Sequence, residues 1–147
     1  MDDGPEQQPL PARDVQREVL TLLPRIHFNL LLTHGPRGEY TWHRRHVEVS
    51  QAVVALWRSG RISADALWLF AYEDGERQYL PRAMRKAHAY HYLAPQTWHI
   101  KYDLVTRMYG FPPESWEAHA TPRAEAFWCF ESPRQLDVWL HEEGLTA

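Results

Sequence analysis

The chain has 147 residues, of which 44% are hydrophobic and 24% charged, with a formal net charge of −3. That size and balance describe one globular domain with room for a real core, and the net acidity argues against a nucleic-acid module. A single cysteine, Cys129, excludes an internal disulfide and a cysteine-rich zinc knuckle.

The start, Met1-Asp2-Asp3-Gly4-Pro5, is acidic and holds no apolar leader segment. The aliphatic run Leu30-Leu31-Leu32 is far too short to span a bilayer. A cytoplasmic protein with no membrane span is expected. Residues 1–11 carry three prolines and read as an extended lead-in. In residues 12–23, Ala12, Val15, Val19, Leu22 and Leu23 recur at helical spacing, and Pro24 closes the segment. Residues 26–33 form a short apolar run, expected to be a buried strand of a parallel sheet. After a loop, Val49, Ala52, Val53, Leu56 and Trp57 give a helical stripe from about Arg44, ended by Ser59-Gly60. Residues 66–72 read as a second buried strand, which makes strand–helix–strand a βαβ unit.

Further on, Glu73-Asp74-Gly75-Glu76 is a turn and residues 87–93 alternate as a strand does. Pro95 opens a helix on which Trp98, Tyr102, Val105 and Tyr109 share a face, stopped by Gly110 and Pro112-Pro113. A strand at 126–130 and a short terminal helix at 136–141 complete the chain. Cys129, within Phe127-Trp128-Cys129-Phe130, reads as a core residue and not as a nucleophile. The expected fold is α/β, a partial doubly wound, Rossmann-like parallel sheet flanked by helices in one domain over 1–147.

Loops at the carboxyl end of a strand are where open α/β sheets place their chemistry. The first such loop, Thr33 to His46, holds Gly35, Gly38, Glu39 and the histidines His34, His43 and His46. His43 and His46 are three apart at the mouth of a helix, so their side chains leave nearly the same face. Stepping on from His46 reaches Val49 and Val53, so His46 is expected to point inward and His43 to sit at the cleft rim. With Arg44 and Arg45 between them, the pair is not the His-Glu-x-x-His of the zincins. It is compatible with part of a zinc ligand set or with a structural pair.

The stretch Leu31-Leu32-Thr33-His34-Gly35-Pro36-Arg37-Gly38-Glu39-Tyr40, followed by His43-x-x-His46, resembles the second signature of the PIG-L/LmbE-like zinc-dependent N-deacetylases. The likeness runs on through Ala66-Leu67-Trp68-Leu69-Phe70-Ala71-Tyr72. It implies a hydrolase that removes acetyl from an N-acetylated amino sugar or related conjugate through a zinc-activated water. By position, His46 is then the zinc ligand, and His43 stabilises the oxyanion or assists the leaving group. Glu39, Arg37 and Tyr40 would contact the substrate.

Family members carry an earlier signature, His-Pro-Asp-Asp-Glu, which supplies two further zinc ligands and the aspartate base. No such run occurs in these residues. The sequence therefore reads as the carboxy-terminal portion of such a domain, its zinc site incomplete, with a missing amino-terminal half or a homo-oligomer as the expected partner. The alternative is a non-catalytic remnant that binds a sugar or a protein through the same cleft.

Other residues have plain readings beside functional ones. Glu39 and Arg37 are also ordinary solvated loop residues, and Trp42 suits core packing as well as a sugar-stacking wall with Tyr40. Glu73 and Asp74 follow a strand end but also suit a turn. His88, His91 and His99 show no ligand spacing, and Arg82, Arg85 and Lys86 read as a solvated basic face.

Overall fold

In the computed structural model, residues 7–39, 42–75 and 78–145 are described. The first element, α1 (Ala12–Leu22), packs along α2 (Arg44–Arg58), with Val15 buried between them. It stops because Leu23 turns extended ahead of Pro24, whose ring disfavours a helical residue before it. The end of α2 is set by Gly60, at φ 69°: its N–H meets the Trp57 carbonyl and that of Arg61 meets Leu56. That double closure satisfies carbonyls the helix would otherwise leave open, and it requires a left-handed residue.

Between these helices runs β1 (His27–Thr33), and after α2 comes β2 (Ser63–Phe70). The two strands pair in parallel, Leu31 opposite Leu67 and Thr33 opposite Leu69. The expected strand–helix–strand unit is thus present, although β2 begins three residues earlier than its apolar run and breaks at Ala71. Tyr72–Glu73 forms β3, which pairs antiparallel with β4 (Arg82–Ala83) as a separate small sheet.

The remainder of the main sheet differs from the wholly parallel arrangement that was expected. The strands β5 (Ala89–Tyr92) and β6 (Ala124–Phe130) complete a four-stranded sheet in the order β1-β2-β6-β5. β6 is antiparallel to both of its neighbours. Alternation in sequence reports which residues share a face but not which way a strand runs, so the direction of β6 is fixed only by the excursion that precedes it. That excursion contains α3 (Pro95–Asp103), a π-helical turn over Leu104–Met108 and α4 (Trp116–His119). The π turn adds a residue to the helical repeat, so the expected Trp98–Tyr109 face does not hold. Trp98 and Tyr102 stack at 5.1 Å, while Tyr109 is 75% exposed. Lys101 on α3 pairs with Glu125 on β6, which also accepts from the Tyr72 hydroxyl. The chain closes with α5 (Pro133–Glu142), capped by the Ser132 hydroxyl.

The architecture is therefore α/β, a mixed four-stranded sheet flanked by helices. Its two faces are unequal. One carries Leu31, Leu67, Leu69, Trp128 and Phe130, which form a single cluster with Leu56, Trp57, Leu136 and Trp139 from α2 and α5. On the other, Leu30 and Leu32 are 42% and 49% exposed beside Trp68 and Phe127, whose rings lie 5.4 Å apart. No helix among the described residues is long and apolar enough to cross a membrane.

The lead-in is tied down by a buried ion pair. Arg45, at 7% exposure, pairs with Glu48 and donates to the Gln8 carbonyl, while Glu48 accepts from the Leu10 N–H. Charges removed from water need this kind of full pairing. The unequal faces give a direct test by urea denaturation. Leu69→Ala, at a position with no exposed surface, should cost about 2–5 kcal/mol. Leu32→Ser should cost no more than about 1 kcal/mol. Equal costs would mean that the outer face is covered.

Candidate metal centre

β1 ends at Thr33, and the next six residues fold back on themselves. The Gly38 N–H donates to the Gly35 carbonyl at 3.1 Å, and Gly38 itself has φ 85°, a conformation that glycine adopts without strain. Gly35 is required for a different reason. A Cβ there would lie 2.6 Å from the Phe70 carbonyl oxygen at the end of β2, so only a bare backbone can lie this close. Seated in this way, the turn brings its two flanks together. His34 Nδ1 meets Glu39 Oε1 at 2.7 Å, and the Gly35 N–H reaches the same oxygen at 3.3 Å. Glu39 is 8% exposed, so its carboxylate is held by these bonds and not by water.

The start of α2 supplies the other half of the site. His46, in the first turn of the helix, lies face to face with His34, ring centroids 4.0 Å apart and planes 3° from parallel. His43, at the residue before α2, packs against the far side of the cluster, 4.6 Å from the His46 ring. The core-facing residues one turn further on, Val49 and Val53, pack as the sequence predicts, and His46 shares their side of the helix.

His34, Glu39 and His46 offer donor atoms that all lie within 4.8 Å of one another. Two imidazoles and one carboxylate are the donor types of open, catalytic zinc sites. A metal sits in the plane of each imidazole that binds it, so the parallel, stacked rings of His34 and His46 would have to turn apart to hold one ion. The donor chemistry fits zinc.

Of the residues singled out from sequence, the structure brings together His43, His46 and Glu39. Arg37 does not join them: it is exposed and donates to the Glu143 carbonyl at 2.8 Å, so it fastens the turn to the end of α5. Tyr40 lies outside the described residues. Trp42 is 59% exposed beneath the Arg44 guanidinium and not in the core. Glu73 pairs with Arg82 across the small sheet. His88 bonds to the Cys129 backbone at 3.0 Å and His99 to the Pro95 carbonyl at 2.7 Å; neither they nor His91 enter the cluster. A further imidazole–carboxylate pair, His27 with Asp65, sits at the opposite end of the strands with both side chains more than half exposed, where water screens it.

His34, a loop histidine to which the sequence assigns no role, joins the loop to the helix. The available signal was the spacing: His34 and Glu39 flank a Gly-Pro-Arg-Gly turn, and a closed turn sets its flanks side by side. Comparison of the chain with protein-family models, with curated proteins and with solved structures found no match.

Two outcomes test this geometry. Gly35→Ala must push the turn away from Phe70, and should cost at least about 1 kcal/mol in urea denaturation while moving the His34 and His46 ring signals in NMR spectra. Cys129 is half-buried, and burial pushes its thiol above the usual range. Its thiolate fraction at pH 8 should fall below that of a free cysteine, so iodoacetamide should label it slowly in the folded protein and faster in urea.

Proposed function

We propose that this chain carries the metal-binding part of a cytoplasmic, zinc-dependent N-deacetylase of the PIG-L/LmbE-like type, acting on an N-acetylated amino sugar or related conjugate. The observation that carries this reading is the convergence of His34, Glu39 and His46 at the carboxyl end of β1, where an α/β sheet places its chemistry. The resemblance of Thr33 to His46 to the family's second signature supports the same reading.

His34, Glu39 and His46 would hold the metal through ring nitrogens and a carboxylate oxygen, the ion taking the place of the His34–Glu39 hydrogen bond. The zinc, when bound, supplies Lewis-acid polarisation of an amide carbonyl and of a water molecule. His43, packed on His46 and half-buried, would donate a hydrogen bond to an oxygen or nitrogen of a bound substrate.

One observation favours a second reading, a binding module without catalysis. The Glu39 oxygen nearest the cluster is already engaged by His34 and by the Gly35 N–H, and no His-Pro-Asp-Asp-Glu run occurs in these residues to provide a base.

Metal titration separates the two. The protein should take up one zinc per chain, followed by calorimetry or by the visible spectrum of a cobalt substitute. His34→Ala and His46→Ala should each abolish that uptake, and Glu39→Gln should weaken it roughly 10–100-fold. His27→Ala should leave it unchanged. Acetate release from N-acetylglucosamine conjugates by the zinc-loaded protein would then favour the enzyme. Absence of zinc uptake at micromolar metal would refute the metal site and with it the deacetylase.

A further inference from the structure

A second concentration of charge lies away from the histidines. β4, the turn after it, β5 and the segment entering β6 enclose a cleft of about 800 Å³, within the range of small-molecule sites. Its floor is built from small buried residues, Ala83, Ala120, Thr121 and Ala124, each under a tenth exposed. Its rim carries four cations and the Glu73 carboxylate. Arg82, Arg85 and Lys86 come from one short run, and Arg123 joins them from the approach to β6. The concentration is local, because the whole chain is net acidic.

The four cations are not equivalent. Arg82 is paired with Glu73, and Lys86 lies 3.7 Å from a Glu143 oxygen. Arg85 and Arg123 meet no carboxylate among the described residues and are instead held by aromatic rings. The Arg85 guanidinium lies over Tyr90 and Tyr92, at 5.6 and 6.0 Å, and donates to the Tyr92 hydroxyl at 3.0 Å. That of Arg123 lies 3.9 Å above the Trp98 ring. Stacking fixes the plane of a guanidinium without neutralising it, and leaves edge N–H groups available to an incoming anion.

We propose that this cleft binds a small molecule through a phosphoryl group, with Arg85 and Arg123 as the pair that recognises its oxygens. A phosphoryl ester carries about −1.5 to −2 charges at pH 7, which matches two uncompensated guanidiniums better than a single carboxylate does. Its oxygens fit the parallel N–H groups of arginine two at a time. The alanine floor leaves volume for the rest of the ligand, and the tyrosine rings of β5 give it an apolar wall. The site owes nothing to the histidine cluster and needs no metal.

A free phosphate ester and a phospholipid headgroup present the same chemistry, so the test has two arms. In metal-free, low-salt buffer, the protein is titrated with inorganic pyrophosphate and followed by calorimetry and by backbone amide NMR. Saturable binding is expected, with the largest shifts at Ala120, Thr121 and Ala124. Affinity should fall roughly tenfold or more in Arg85→Gln and in Arg123→Gln, and should hold in Arg58→Gln, whose side chain pairs with Asp137 elsewhere. In the second arm, phosphatidylcholine vesicles carrying phosphatidic acid are offered. Capture that is lost in the same two variants assigns the headgroup, and solution binding without capture assigns a soluble ester. Binding in neither arm, or binding that both variants retain, or amide shifts confined to other parts of the chain, would overturn the proposal.

Discussion

The closest constraint in this structure is the contact of Gly35 with the Phe70 carbonyl, where a Cβ would lie 2.6 Å away. Because that position has no side chain, the loop after β1 rests directly on the end of β2. Because it rests there, the turn closes and sets His34 against Glu39. The parallel pairing of β1 and β2 brings the two strand ends level, and the α2 crossover then starts beside them with His43 and His46. One backbone contact thus couples the sheet, the turn and the helix start into a single unit.

The histidine cluster shows how few residues such a unit needs. His34 comes from the strand end, Glu39 from the far flank of the turn, and His46 from the first turn of a helix. Each is held from behind: Glu39 by the Gly35 N–H, His46 by the helix whose valines enter the core, and His34 by its bond to Glu39 and its stack on His46. Side chains anchored on rigid elements keep their geometry better than those on a mobile loop.

Charge is distributed with the same economy. The buried Arg45–Glu48 pair is spent on fastening the lead-in to α2, and Arg37 on fastening the turn to α5. Of the cations on the second cleft, Arg85 and Arg123 stack on aromatic rings and meet no carboxylate among the described residues. The apolar surface is equally uneven, since one face of the sheet forms the core while Leu30 and Leu32 stand exposed on the other. Parallel strands are ordinarily covered on both faces, which makes that exposure a distinctive feature of the β1–β2 edge.

Much of this was legible in the residues alone. Helical spacing from Val49 to Trp57, the stops at Pro24 and Gly60, and the apolar runs of β1 and β2 determined the strand–helix–strand unit, because periodicity and turn chemistry act over neighbouring residues. The same local logic placed His43 and His46 on one side of a helix start. Contacts between distant segments were beyond it. The antiparallel entry of β6, the break at Ala71, and the π turn that displaces Tyr109 depend on how the chain returns to the sheet. The stacking of His34 on His46, and the placing of Arg85 and Arg123 on one cleft, need segments that sequence spacing does not relate. Local pattern determined which elements form; tertiary packing decided which side chains meet, because a strand's pattern is unchanged when its direction reverses and a charge reveals its role only beside its neighbours.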